Sequence, residues 1–212
     1  WMRHYTGEVP RASVVVLKDG APAFQRSYGM ADLEAGVASS PATNYRLASD
    51  SKQFTAACVL LLAEDGALSI DDPVKRWLPS LPAAADRITL RHLLSHTSGL
   101  VDYEDLLPAD QAQQVLDADV LQLLEREDRL YFPAGSAYRY SNSGYALAAL
   151  VVERASGQRF AAFLKTRIFT PLGMTAAQAR EDGGPAVTER AFGYSLIADR
   201  WRRTDQSTTS AV

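Results

Sequence analysis

Two strand-like runs lie close together near the start of the chain, and nothing comparable follows until Phe192. Val14-Val15-Val16-Leu17 and Ala23-Phe24-Gln25-Arg26-Ser27-Tyr28 flank Lys18-Asp19-Gly20-Ala21-Pro22. An Asp-Gly between β-branched and aromatic runs reads as a hairpin. A lone hairpin is not stable in water, so these strands need further strands or a helix to cover them. The next candidate strand is Phe192-Gly193-Tyr194-Ser195-Leu196. What lies between reads as a long helical insert, and that arrangement limits the fold more than any single residue does.

The first helix of the insert is expected from about Asp50 to Asp65. Phe54, Ala57, Cys58, Leu61 and Leu62 share one stripe, Gly66 is placed to stop it, and it reads as the buried spine. A short turn follows around Val74 to Leu78, Pro79 and Pro82 break the chain, and Thr89 starts a helix over Leu90 to Ser95 that closes at Gly99. A further helix spans about Asp117 to Asp128, with Val120, Leu123 and Leu124 facing inward. Tyr138-Arg139-Tyr140-Ser141 is an extended piece before an apolar helix from Gly144 to Ala155, closed by Gly157, and Arg159 to Ile168 forms the last helix. Gln178 to Pro185 reads as a loop. Thr204 to Val212 is polar and ends without a closing strand, leaving three candidate strands and the expectation that the chain is cut short.

The 212 residues, 47% hydrophobic, suffice for one large domain or two intimately packed lobes. A net charge of −3 with Arg and Asp/Glu interspersed leaves no basic stripe for nucleic acid and no polybasic anchor for a membrane. The longest wholly apolar run, Tyr145 to Val152, is far short of the roughly 20 residues of a spanning helix. Met2 is followed by Arg-His-Tyr-Thr-Gly rather than an apolar stretch, so any targeting segment is expected to have been removed or to lie outside this chain. The single cysteine, Cys58, falls on an apolar helix face, has no partner for an internal disulfide, and is expected to pack.

Ser49 stands where Tyr45-Arg46-Leu47-Ala48 enters the first helix, and Lys52 follows three residues on. Positions three apart on a helix lie about 5–6 Å apart at Cβ, so the amine can reach the hydroxyl. Unpaired N–H groups and the positive end of the dipole at a helix start favour an oxyanion there. The plainer alternative is that Ser49 caps the helix, with Gln53 near a capping-box position. The one Tyr-x-Asn, Tyr140-Ser141-Asn142, precedes the apolar helix. A tyrosine phenolate or a neutral lysine can take a serine proton, and the Asn142 amide can both orient Lys52 and hold a substrate carbonyl. Here the alternative is that Asn142 caps the helix while Tyr140 packs its ring.

His92 and His96 are four apart on a short helix, a spacing that suits two ligands of a zinc ion, but no third ligand suggests itself and the expectation is no metal and no cofactor. His96 is expected to order the turn Ser95-His96-Thr97-Ser98-Gly99. The sequence contains no Gly-x-Ser-x-Gly elbow, which disfavours an ordinary Ser-His-Asp hydrolase.

Taken together, these residues resemble the serine β-lactamase and penicillin-binding family, in the branch holding class C β-lactamases, D-alanyl-D-alanine carboxypeptidases and related esterases. Leu47-Ala48-Ser49-Asp50-Ser51-Lys52-Gln53-Phe54-Thr55 and Tyr138-Arg139-Tyr140-Ser141-Asn142-Ser143-Gly144-Tyr145 carry the likeness. Leu68 to Val74, Ile88 to Leu100 and Phe169 to Met174 support it in family order.

The resemblance implies an α+β fold of the β-lactamase/transpeptidase type: an antiparallel sheet flanked by helices, an inserted all-helical lobe, and an active site between lobes. The expected division is 1–45 plus 171–212 as a partial sheet lobe and 46–170 as the helical lobe. Ser49, Lys52 and Tyr140 become the expected catalytic residues and Asn142 a substrate-binding residue, with Lys52 and Tyr140 both open as the base. The implied activity is acyl transfer through a Ser49 ester, on a β-lactam, a D-Ala-D-Ala-type peptide or an ester. A non-hydrolytic binding or sensor module and an inactive fragment are the alternatives. The family's third motif, Lys or His, a small residue, then Gly, is missing, since Lys165-Thr166-Arg167 lacks the Gly. A C-terminal segment or a second chain is therefore expected to complete the sheet. The resemblance points to a periplasmic or secreted setting.

Overall fold

The computed structural model describes residues 2–180, 184 and 186–205. They fall into two units, one over 2–47 with 184 and 186–205 and the other over 48–180. The loop expected over Gln178–Pro185 and the tail from Thr204 to Val212 lie partly outside the described residues.

In the first unit, β1 (Ala12–Lys18) and β2 (Ala21–Tyr28) pair antiparallel, with one irregularity between Val16 and Leu17. Asp19 and Gly20 join them at φ of 51° and 77°. Two successive positive φ values are the type I′ signature, so the Asp-Gly signal locates the turn, and the loop is tighter than the five-residue stretch expected. β3 (Met30–Asp32) pairs with β4 (Val37–Ala38), and β5 (Tyr194–Ile197) with β6 (Arg200–Arg203). The described residues thus hold six short strands in three antiparallel pairs, where three strands were expected. β6 escapes a sequence reading because its turn is Ala198-Asp199, at φ of 47° and 58°, and Ala is not a residue that announces positive φ. Phe192 N–H donates to Ala31 O at 3.0 Å and Arg203 pairs with Asp32 at 2.6 Å, tying the late hairpin to β3.

The second unit is helical. A 3-10 turn, Ala48–Ser51, leads into α1 (Lys52–Glu64), followed by α2 (Val74–Trp77) and α3 (Leu90–Leu94). Then come α4 (Asp117–Leu124), α5 (Asn142–Ser156) and α6 (Phe160–Leu164), which runs into a π-helical turn over Lys165–Phe169. Thr89 caps α3 reciprocally, its Oγ1 accepting the His92 N–H while its own N–H donates to His92 Nδ1 at 3.2 Å. His92 here does the work usually given to Glu or Gln in a capping box. α4 ends before Asp128, whose carboxylate instead accepts the Ala84 N–H at 2.9 Å.

The buried spine is α5 rather than α1. Ser143 through Ala149, Val151 and Val152 are all buried, and α5 packs against α1, α2, α3, α4 and α6. Its small residues allow this: a Cβ on Gly144 would lie 3.2 Å from Leu93 O, so α3 approaches the α5 backbone closely. Gly157 ends α5 in the left-handed conformation at φ 68°, as its position suggests. On α1 the buried face is turned from the expected stripe. Lys52, Thr55, Cys58, Val59 and Leu62 are buried, while Phe54, Ala57 and Leu61 are half-buried. Burial pushes the Cys58 thiol up to about 12, as suits a packing residue.

Candidate active site

Ser49 lies in the 3-10 turn, exposed, directly after Ala48 at φ 48°. A left-handed alanine is uncommon and costs about 1 kcal/mol, which marks the entry to α1 as a backbone held by its surroundings. Ser49 does not cap α1. The cap position is Ser51, without a side-chain hydrogen bond, and Gln53 Nε2 donates to Asp50 O at 2.8 Å.

The Ser49 hydroxyl instead meets two side chains. Lys52 Nζ donates to Ser49 Oγ at 3.1 Å, and Tyr140 OH lies 2.6 Å from the same oxygen. Lys52 Nζ also donates to Asn142 Oδ1 at 2.8 Å. The amine is nearly enclosed, Lys52 being only 8% exposed, and it sits 5.1 Å and 5.5 Å from the ring centres of Tyr140 and Tyr145. All four residues singled out in the sequence are thus linked within the helical unit, although Tyr140 is separated from Ser49 by 91 positions.

Asn142 is the first residue of α5 rather than its cap, and the cap position belongs to Ser141. The Asn142 N–H donates to Asp102 Oδ2 at 2.7 Å, a carboxylate where the helix start favours one. Ser143, fully buried, accepts the Tyr103 N–H at 2.8 Å and donates to Val101 O at 3.0 Å, clamping the 101–103 strand of chain onto α5. Burial and the Asp102 charge hold the Glu104 carboxyl above its ordinary value, against the pull of Lys52.

His96 does not order its own turn with its ring, as expected, but reaches the Tyr-x-Asn segment. Its Nδ1 accepts the Ser141 N–H at 3.2 Å and its backbone oxygen accepts the Arg139 N–H at 3.0 Å. The imidazole stacks on Tyr140 at 4.6 Å and leans on Tyr145 at 5.2 Å. Burial, and then the Lys52 charge, push His96 below the ordinary imidazole value, with Asp102 opposing. Asp102 carried no sequence signal, because its partner lies 40 positions away, and Ser143, quoted only within the Tyr138–Tyr145 stretch, gave no sign of its clamping contacts.

Chemically, the set offers an exposed hydroxyl between a cation and a phenol, beside an amide whose oxygen is held by Lys52. Comparison with known proteins places the chain in a family. Residues 1–206 match the Beta-lactamase family profile. A penicillin-binding protein of Bacillus subtilis (strain 168) is 37% identical over 187 residues, covering 86% of this chain and 41% of that protein. The octameric penicillin-binding protein homologue from Pyrococcus abyssi superposes with a TM-score of 0.84 at 26% identity, over 96% of this chain and 48% of the other. The D-amino acid amidase from Ochrobactrum anthropi SV3 gives 0.78 at 29%, over 91% and 53%. The chain therefore spans about two fifths to half the length of these relatives. It belongs to the beta-lactamase family, with the mixed helical and antiparallel β-lactamase/transpeptidase-like fold.

Proposed function

We propose that Ser49 is the nucleophile of a serine acyl hydrolase that attacks a β-lactam, a D-Ala-D-Ala-type peptide or an ester. The observation that carries this reading is the hydrogen-bonded set in which Ser49 Oγ receives Lys52 and meets Tyr140. An ammonium has only donors to offer, and Lys52 already directs them to Ser49 Oγ and Asn142 Oδ1. With Tyr140 ionised to the phenolate beside the Lys52 ammonium, its oxygen takes the Ser49 proton as Oγ bonds to the substrate carbonyl carbon. The carbonyl electrons move to oxygen, which takes the Ser49 N–H at the helix start as one donor. When the tetrahedral adduct collapses, the bond to the leaving nitrogen or oxygen breaks and the proton returns to it. Water later releases the acyl group by the same route. The Asn142 amide holds the acyl side of the substrate.

The test is intact-protein mass spectrometry after incubation with benzylpenicillin or an activated ester. One acyl group is expected on wild type and none on Ser49→Ala; an adduct that survives this substitution, or wild type that takes neither reagent, sinks the reading. A second reading draws on the Bacillus relative being a penicillin-binding protein: acylation without turnover. Sustained product release separates the hydrolase from this binder, which gives one stoichiometric burst.

A further inference from the structure

We propose that neutral His96 is the positioning residue of the Tyr140 phenol: it takes the Ser141 N–H on Nδ1, backs the Tyr140 ring with its own, and releases both when protonated. Three contacts converge on one short stretch of chain. The His96 backbone accepts from Arg139, its Nδ1 from Ser141, and its ring stacks on Tyr140 at an interplanar angle of 28°. Residues 139, 140 and 141 are therefore each held by the same histidine, and the phenol so held is the one 2.6 Å from Ser49 Oγ.

Two further observations make this more than packing. His96 itself stands at φ 56°, a conformation that histidine adopts more readily than most side chains but that the fold must still enforce. Ser141 also has no alternative: its Oγ is buried without a partner, so loss of the His96 acceptor would leave a second polar group of that residue unpaired.

Protonation reverses the contact. An Nδ1 that carries a proton is a donor facing the Ser141 N–H donor, and a cationic ring would share the Tyr140 and Tyr145 faces with the Lys52 ammonium. The groups facing His96 are Lys52 from α1, the Asp102 carboxylate, and Tyr138, Tyr140 and Tyr145. Asp102 favours the cation, while burial and then Lys52 oppose it and prevail, so the release falls below the ordinary histidine value of about 6.5.

The inference rests on Tyr140 serving Ser49, but its test reads the geometry directly. Imidazole nitrogen and tyrosine ring-carbon resonances of the full chain are followed from about pH 8 to about pH 4, through the histidine value, with Tyr140 assigned by its loss in Tyr140→Phe. Nδ1 is expected to be unprotonated at neutral pH, and the Tyr140 and Ser141 signals to step together with His96. Asparagine tolerates positive φ and offers an oxygen to Ser141 without titrating, so His96→Asn is expected to abolish the step while acylation stays within about tenfold of wild type. His96→Ala is expected to slow it about a hundredfold. A proton on Nδ1 at neutral pH, a Tyr140 signal indifferent to His96, or a step that persists in His96→Asn overturns the proposal. Wild type that takes no acyl group sinks the acyl-transfer reading and leaves the resonances to judge His96.

Discussion

Tyr140 is half out in solvent, 44% exposed, while its partner Lys52 is buried. A phenol so exposed keeps its place only through its contacts, with Ser49 at its hydroxyl, His96 on one face and Lys52 near its ring. Tyr140→Phe removes the oxygen and leaves these ring contacts, so the fold should survive while acylation of Ser49 slows by about 10²–10⁴-fold. Stopped-flow acylation with an activated ester checks this; a rate within threefold or so of wild type would shift the proton to Lys52. The Ser49–Lys52 pair was legible because a spacing of three is a local property of helical chain. His96 was visible only as a turn residue, and Asp102 was not visible, since neither shows in sequence which distant backbone N–H it will face.

At the scale of elements, α5 organises the helical unit. Leu147 is fully buried on the helix against which α1, α2, α3, α4 and α6 all pack. Leu147→Ala deletes buried methyl groups on this shared helix. A loss of about 2–5 kcal/mol in urea unfolding is expected; a loss well under 1 kcal/mol would show that α5 is not the spine. Helix starts and stops were well marked in sequence by Thr89, Gly157 and the prolines, but rank among helices was not. Apolar content made α1 and α5 look alike, and the difference lies in Ala and Gly on α5, which bring neighbouring backbones close enough to bury it all round.

At the scale of the whole molecule, an acid with one enclosed oxygen bears on stability. Asp117, at the start of α4, has Oδ1 buried without a partner, and burial with the nearby Glu153 charge pushes its carboxyl up to about 7. The unfolded value is about 3.9, so between these limits the folded state holds a proton that the unfolded chain has lost. Stability should fall as pH rises from about 4 to about 7 and stay low above. Asp117→Asn should change little near pH 4 but raise the unfolding free energy near pH 8, by up to about 4 kcal/mol. An equal gain at both pH values would rule out titration as the cause. From residue order alone come the early hairpin, the succession of helices and the reach of Lys52 to Ser49, because turn chemistry, periodicity and side-chain spacing act over a few residues. The meeting of Tyr140, Asn142 and His96 with that pair waits on packing: α1 and α3 must both lie against α5 before groups about 90 positions apart can share a hydrogen bond.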